Sequence, residues 1–242
     1  MSVIARITMR LLLGSRRAVA VGFVMLLPVL IAILFRTSGE DAITPPDEFA
    51  GDLVGNLVLA ILLPLVALVM GTAAIGNEIE DGTVVFLLAK PIDRWRVVVV
   101  KAVVAALASA AVCVPTTVAT TWIIVGGADG GMVVGLGLAA FVASVVYSVL
   151  FVALSTVTSR ALVIGLLYVF VWEAILANVF GGLAWLSVRA YSEAVADAAI
   201  SVASYRADLD APAGVVMALV AVAAALVAGS RKLAGFEIGE RS

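Results

Sequence analysis

Six stretches of this chain run apolar for eighteen residues or more: 18–35, 53–75, 97–125, 132–158, 161–186 and 211–230. A helix needs about 20 residues to cross roughly 30 Å of hydrocarbon, so each run is long enough to span a bilayer. Lipid offers no partner for backbone N–H and C=O groups, which leaves helices or a closed barrel as the spanning forms. The alternation that marks barrel strands is absent. The expected fold is therefore an all-α integral membrane protein with six transmembrane helices. Composition agrees, because 64% of residues are apolar and 13% charged, where a soluble domain is nearer half and a quarter.

Polar residues punctuate the runs. Pro45-Pro46 marks an irregular loop after the first span, and 126–131 (Gly-Gly-Ala-Asp-Gly-Gly) marks a tight turn between the third and fourth. Asp210-Ala211-Pro212 opens the sixth span as an acidic cap with an early proline. Pro28, Pro64 and Pro115 fall inside spans and are expected to kink them. Before the first span, Val3, Ile4, Ile7 and Leu11 recur at helical spacing, with Arg6, Arg10 and Arg17 on another face. Residues 1–17 thus read as an amphipathic helix lying on the membrane surface. Residues 18–230 form the six-helix domain, and 231–242 a short tail. The stretch 187–209 permits a short helix lying flat on the outer surface.

Lysine and arginine set the orientation. With the N-terminus inside, the inner segments hold Arg6, Arg10, Arg16, Arg17, Lys90, Arg94, Arg96, Lys101, Arg160, Arg231, Lys232 and Arg241, twelve in all. The outer segments hold Arg36, Arg189 and Arg206, the remaining three of fifteen. Both termini are expected in the cytoplasm. Lys101 is read as belonging to the first turn of the third span, which begins near Val97.

Several chemistries are excluded. There is no histidine, so no histidine-based triad or histidine metal site. Cys113 is a lone cysteine in an apolar run and reads as a small hydrophobe. No G-x-x-x-x-G-K-[ST] sequence exists to cradle ATP phosphates. The net charge of -2 gives no reason to expect nucleic acid. The chain is not expected to be an enzyme or to carry a cofactor.

The most informative stretch is the inner loop 76–96, GNEIEDGTVVFLLAKPIDRWR. Glu78, Glu80 and Asp81 end the extension of the second span. Asp81-Gly82-Thr83 breaks the chain and can cap a helix begun there. Thr83 to Ala89 makes a short apolar helix, which Lys90-Pro91 stops. Asp93 then caps the third span, with Trp95 at interfacial depth. An apolar helix displayed there needs the membrane surface or a partner's groove.

At these residues the chain resembles the permease subunits of ABC-2 type transporters. The resemblance rests on Glu-x-Glu-Asp-Gly-Thr, a short apolar helix, and Lys-Pro-x-x-Arg-Trp. Asp93 stands where such loops often carry serine, and both residues cap helices. The Tyr168–Glu173 segment and Leu186–Arg189 are similar to a subset of the same family. The resemblance implies a plasma-membrane protein, expected to be bacterial, that acts as an exporter more often than an importer. ATP and magnesium would sit on a separate ATP-binding subunit docked on Glu78, Glu80, Asp81, Gly82, Thr83, Phe86, Leu87, Lys90, Pro91 and Arg94. It also implies a second permease copy or homologue, with lipid around the pair. The rival readings are a membrane enzyme or assembly factor, and an anchor that recruits a cytoplasmic partner.

Glu173 is the one acid inside a span. An ionised carboxylate at mid-bilayer costs at least ~2.5 kcal/mol, so it should face the bundle interior, an interface or a water-filled cavity. Either it lines the translocation path, or it hydrogen-bonds neighbouring helices. No second buried charge is apparent in sequence to pair with it.

Overall fold

The computed structural model describes residues 16–37, 44–80, 94–126, 129–176, 181–200 and 205–234, all helix or connecting turn with no strand among them. The amphipathic segment 1–15 and the inner loop 81–93 lie outside the described residues. Among the described residues, five helices are long and apolar enough to cross a membrane: Ala20–Thr37, Pro46–Ala74, Trp95–Val125, Gly130–Val157 and Ala211–Leu233. A sixth apolar helix, Ala161–Glu173, is shorter.

The first span is two helices, α1 (Arg16–Val24) and α2 (Leu27–Thr37), broken by a turn at Met25-Leu26. The break has a local cause: Pro28 has no N–H to offer back to Val24. The second span begins earlier than its apolar run. Pro46 opens α3 (Pro46–Asp52), followed by Asp47 and Glu48 in the first turn. Proline fits the first helical position and acids suit the positive helix end, so Pro45-Pro46 starts a helix rather than an irregular loop. A π-helical run, Leu53–Leu62, leads into α4 (Leu63–Glu80). The Leu63 amide bonds Val58, five residues back. The run ends beside Pro64, which cannot donate and whose ring crowds the preceding turn.

The third span, α5 (Arg94–Val125), is 32 residues long and helical through Pro115. Thr116 and Thr117 come directly after that proline and donate their hydroxyls to Val112 and Cys113 carbonyls at 2.8 Å each. These are the two carbonyls next to that of Ala111, to which Pro115 has no N–H to donate. At 1.5 Å per residue α5 rises about 48 Å, well beyond the hydrocarbon thickness. Gly126 ends it with φ of 67°, the left-handed conformation that glycine adopts without penalty. Asp129 then caps α6 (Gly130–Val157), accepting from the Met132 amide at 3.2 Å.

Helix α6 is the hub, packed by α4, α5 and α9 (Ala211–Ala234) and by α8 (Val188–Asp197). The fifth span is not one helix: α7 (Ala161–Leu167) passes into a π-helical run, Tyr168–Leu176, and a 3₁₀ turn at Gly181–Leu186 comes after it. Nor does the next segment lie flat on the surface. Val188, Ala190, Tyr191, Ser192, Ala194 and Ala196 of α8 are buried, wedged between α6 and α9. Glycines make the room. A Cβ at Gly135 would lie 2.8 Å from the Ala196 carbonyl oxygen, and one at Gly214 would lie 2.6 Å from the Ala194 Cβ. Small residues let membrane backbones approach closely.

Candidate functional site

The expected docking residues fall on the end of α4, the start of α5 and the segment 81–93 between them. Glu78 and Glu80 lie in the last turns of α4, and Arg94 opens α5. The side chains of these three, and all of Asp81, Gly82, Thr83, Phe86, Leu87, Lys90 and Pro91, lie outside the described residues. The frame itself is described: α4 and α5 pack against one another, so the loop joins neighbouring helices. Beneath it sits a core separate from the main one, formed by Ala74, Val98, Ala102, Ala105, Val149, Val152, Ala153, Ala225 and Leu233. Trp95 is exposed and Arg96 stacks over its ring at 5.4 Å.

Lys101 departs from its expected place. Helix α5 starts at Arg94, so Lys101 lies beyond the first turn, and it is 1% exposed. Its Nζ donates to the Ala74 carbonyl at 2.6 Å. Burying a lysine in a membrane helix is costly, reaching about 2.5–3.5 kcal/mol at the helix centre on insertion scales. Bonding to a carbonyl and packing among helices offset part of that cost. Lys101 is thus a second buried charge, which the reading of Glu173 as a solitary one did not anticipate.

Glu173 lies in the π-helical run, fully buried. Three donors converge on it: Tyr168 Oη to Oε1 at 2.8 Å, Ser187 Oγ to Oε2 at 2.6 Å, and the Val188 amide to Oε1 at 2.9 Å. Ser187 is also the cap of α8, accepting from the Ala190 amide at 3.2 Å. The carboxylate therefore sits at a helix N-terminus, where free amides and the helix dipole favour negative charge. The buried Tyr147 hydroxyl approaches the same carboxylate, without meeting hydrogen-bond geometry. Phe151 packs between Tyr147 and Tyr168, stacked on the first and edge-on to the second. Two further bonds tie the outer segment down, Trp172 Nε1 to the Leu186 carbonyl at 3.1 Å and Tyr191 Oη to the Trp185 carbonyl at 2.6 Å. Of the two roles read for Glu173, this geometry supports the hydrogen-bonding one, with the chain's own outer segment as partner.

Beyond Glu173, the outer segment forms one wall of a polar cleft of about 160 Å³, lined by Asp47, Glu48, Asp52, Asn56, Arg189, Glu193, Tyr205 and Arg206 among others. Arg189 bridges it, bonding Glu193 at 2.7 Å and the Asn56 Oδ1 at 3.1 Å. Burial pushes the Glu193 carboxyl above the usual range, against the opposing pull of Arg189. The four-residue spacing of Arg189 and Glu193 was the signal available for their pairing.

Comparison with known proteins accounts for most of the chain. A search of curated proteins finds no match. The family model described as ABC-2 family transporter protein matches residues 2–188, from the amphipathic segment through the inner loop to the first residue of α8. That match covers well over half of the sequence, and the long apolar helices are those of a membrane protein. The chain therefore belongs to the ABC-2 transporter family, as a membrane-spanning permease rather than the ATPase.

Proposed function

We propose that this chain is the permease of an ATP-driven exporter in a bacterial plasma membrane, with both termini in the cytoplasm. ATP and magnesium bind a separate subunit, and the permease carries no cofactor of its own. That subunit docks on Glu78, Glu80, Asp81, Gly82, Thr83, Phe86, Leu87, Lys90, Pro91 and Arg94, and on the helix of residues 1–17. Two permeases, as copies or homologues, enclose the path, with lipid around them. The family match over residues 2–188 carries this reading, because it spans the loop. The twelve-to-three division of basic residues supports the orientation. Exposed apolar side chains along 161–175, among them Leu162, Leu167, Phe170 and Ile175, supply a surface for a second permease or for lipid.

In this mechanism, closure of the nucleotide-bound subunits displaces the loop 81–93, and α4 and α5 carry that displacement into the bundle. The outer segment, clamped through Glu173, closes the far end. Co-purification with a P-loop ATPase is the first test. In the purified complex, Asp81→Lys or Gly82→Pro should uncouple ATPase activity while insertion is retained. An unchanged ATPase response in both variants would sink the docking assignment.

A further inference from the structure

We infer that Lys101 is a positioning residue that joins α4 and α5 into one lever beneath the loop. This inference rests on the ATP-coupled reading above. Three observations carry it. Lys101 is buried and its Nζ reaches the Ala74 carbonyl of the neighbouring helix at 2.6 Å. Ala74 is the last residue of α4 whose side chain is described before the helix runs on to Glu80 and the loop. Both Ala74 and Ala102, the residue next to Lys101, belong to the inner core, which is separate from the main core.

The kinds of residue present decide how the two helices resist sliding. The inner core is built mainly of alanine and valine, whose short side chains interlock shallowly and hold register weakly. A bond from an ammonium group to a backbone carbonyl is directional and charge-assisted, and it strengthens where water is excluded. Lys101 therefore fixes the axial register of α4 against α5. A push on either end of the loop then moves both helices together. With a neutral apolar side chain in its place, each helix yields separately and the displacement dissipates in the inner core.

Amide hydrogen exchange on the permease in nanodiscs, with the ATP-binding subunit that co-purifies, tests this. Without nucleotide, K101M should speed exchange across 75–80 about tenfold or more, with K101R close to wild type. With ATP and vanadate, the wild-type response should spread from 81–93 into both α4 and α5. In K101M it should stop within the loop, and K101R should restore the spread. Should K101M fail to insert, K101L provides the same comparison. Wild-type exchange in the nucleotide-free K101M, or an undiminished spread with nucleotide, overturns the inference. Failure of the ATP-coupled reading looks different: the wild-type loop itself shows no response to nucleotide, and the nucleotide-free arm still decides whether Lys101 fixes the register.

Discussion

Three donors on one buried carboxylate make Glu173 the residue whose loss the fold should feel most. Its carboxylate bonds Tyr168 within its own run and Ser187 and Val188 at the start of α8. Replacing it with glutamine turns one acceptor into a donor that faces Ser187 or the Val188 amide. Bonds to charged groups are worth about 1.5–3 kcal/mol each, and an unsatisfied buried donor adds a desolvation cost. We expect E173Q to lower the melting temperature of the detergent-solubilised protein and to speed amide exchange over 187–197. Altered transport with unchanged melting and exchange would restore the alternative, a side chain serving the path. The sequence could single out Glu173, because a carboxylate in an apolar run is conspicuous. It could not supply the partners, which lie fourteen and fifteen residues further on, across a turn whose geometry apolarity does not encode.

Among the helices, the spans with uninterrupted apolar runs were the legible ones, since length and composition alone define them. Hydrogen-bond register stayed hidden. The residues of 161–186 are as apolar as those of α6, yet those described fold as α-helix (161–167), π-helix (168–176) and 3₁₀ turn (181–186). Lys101 was misplaced for a related reason: helix α5 begins three residues before the apolar run, which carries the lysine deeper than its first turn. The burial of α8 was legible in principle at Gly131, Gly135 and Gly214, whose absent side chains leave space for its backbone and that of the residues after it. Filling that space should expel the helix. G135L or G214V is expected to destabilise the protein by about 1–3 kcal/mol, as overpacking does. Each should also hasten proteolysis between 198 and 210 from the outer side. Unchanged cleavage in both variants would mean that α8 does not depend on this fit.

At the scale of the molecule, the spans divide into a centre and a periphery. In the most apolar eighteen-residue stretch of Gly130–Val157, 72% of residues are buried, against 22% in Ala20–Thr37 and 17% in Ala211–Leu233. The peripheral spans leave many large apolar side chains uncovered, whereas α6 exposes a narrow set, among them Val134, Leu138 and Phe141. The inner and outer ends also differ in chemistry. One carries a small apolar core with a pinned lysine, the other a charged cleft bridged by Arg189. On the proposed reading, orientation decides which end meets the ATP-binding subunit. A fluorescent protein fused after Ser242 should fluoresce, and alkaline phosphatase inserted between residues 38 and 43 should be active. The opposite pair of results would invert the molecule and remove the loop from the cytoplasm.

The two π-helical runs, Leu53–Leu62 and Tyr168–Leu176, pack against each other. A ladder that bonds five residues back is wider and shorter per residue than one that bonds four back. Reversion of either run to the tighter pattern would lengthen its span and rotate everything beyond it about the helix axis, with most backbone bonds exchanged rather than lost. A change of ladder in either run would therefore show itself as rotation of the second or fifth span about its own axis.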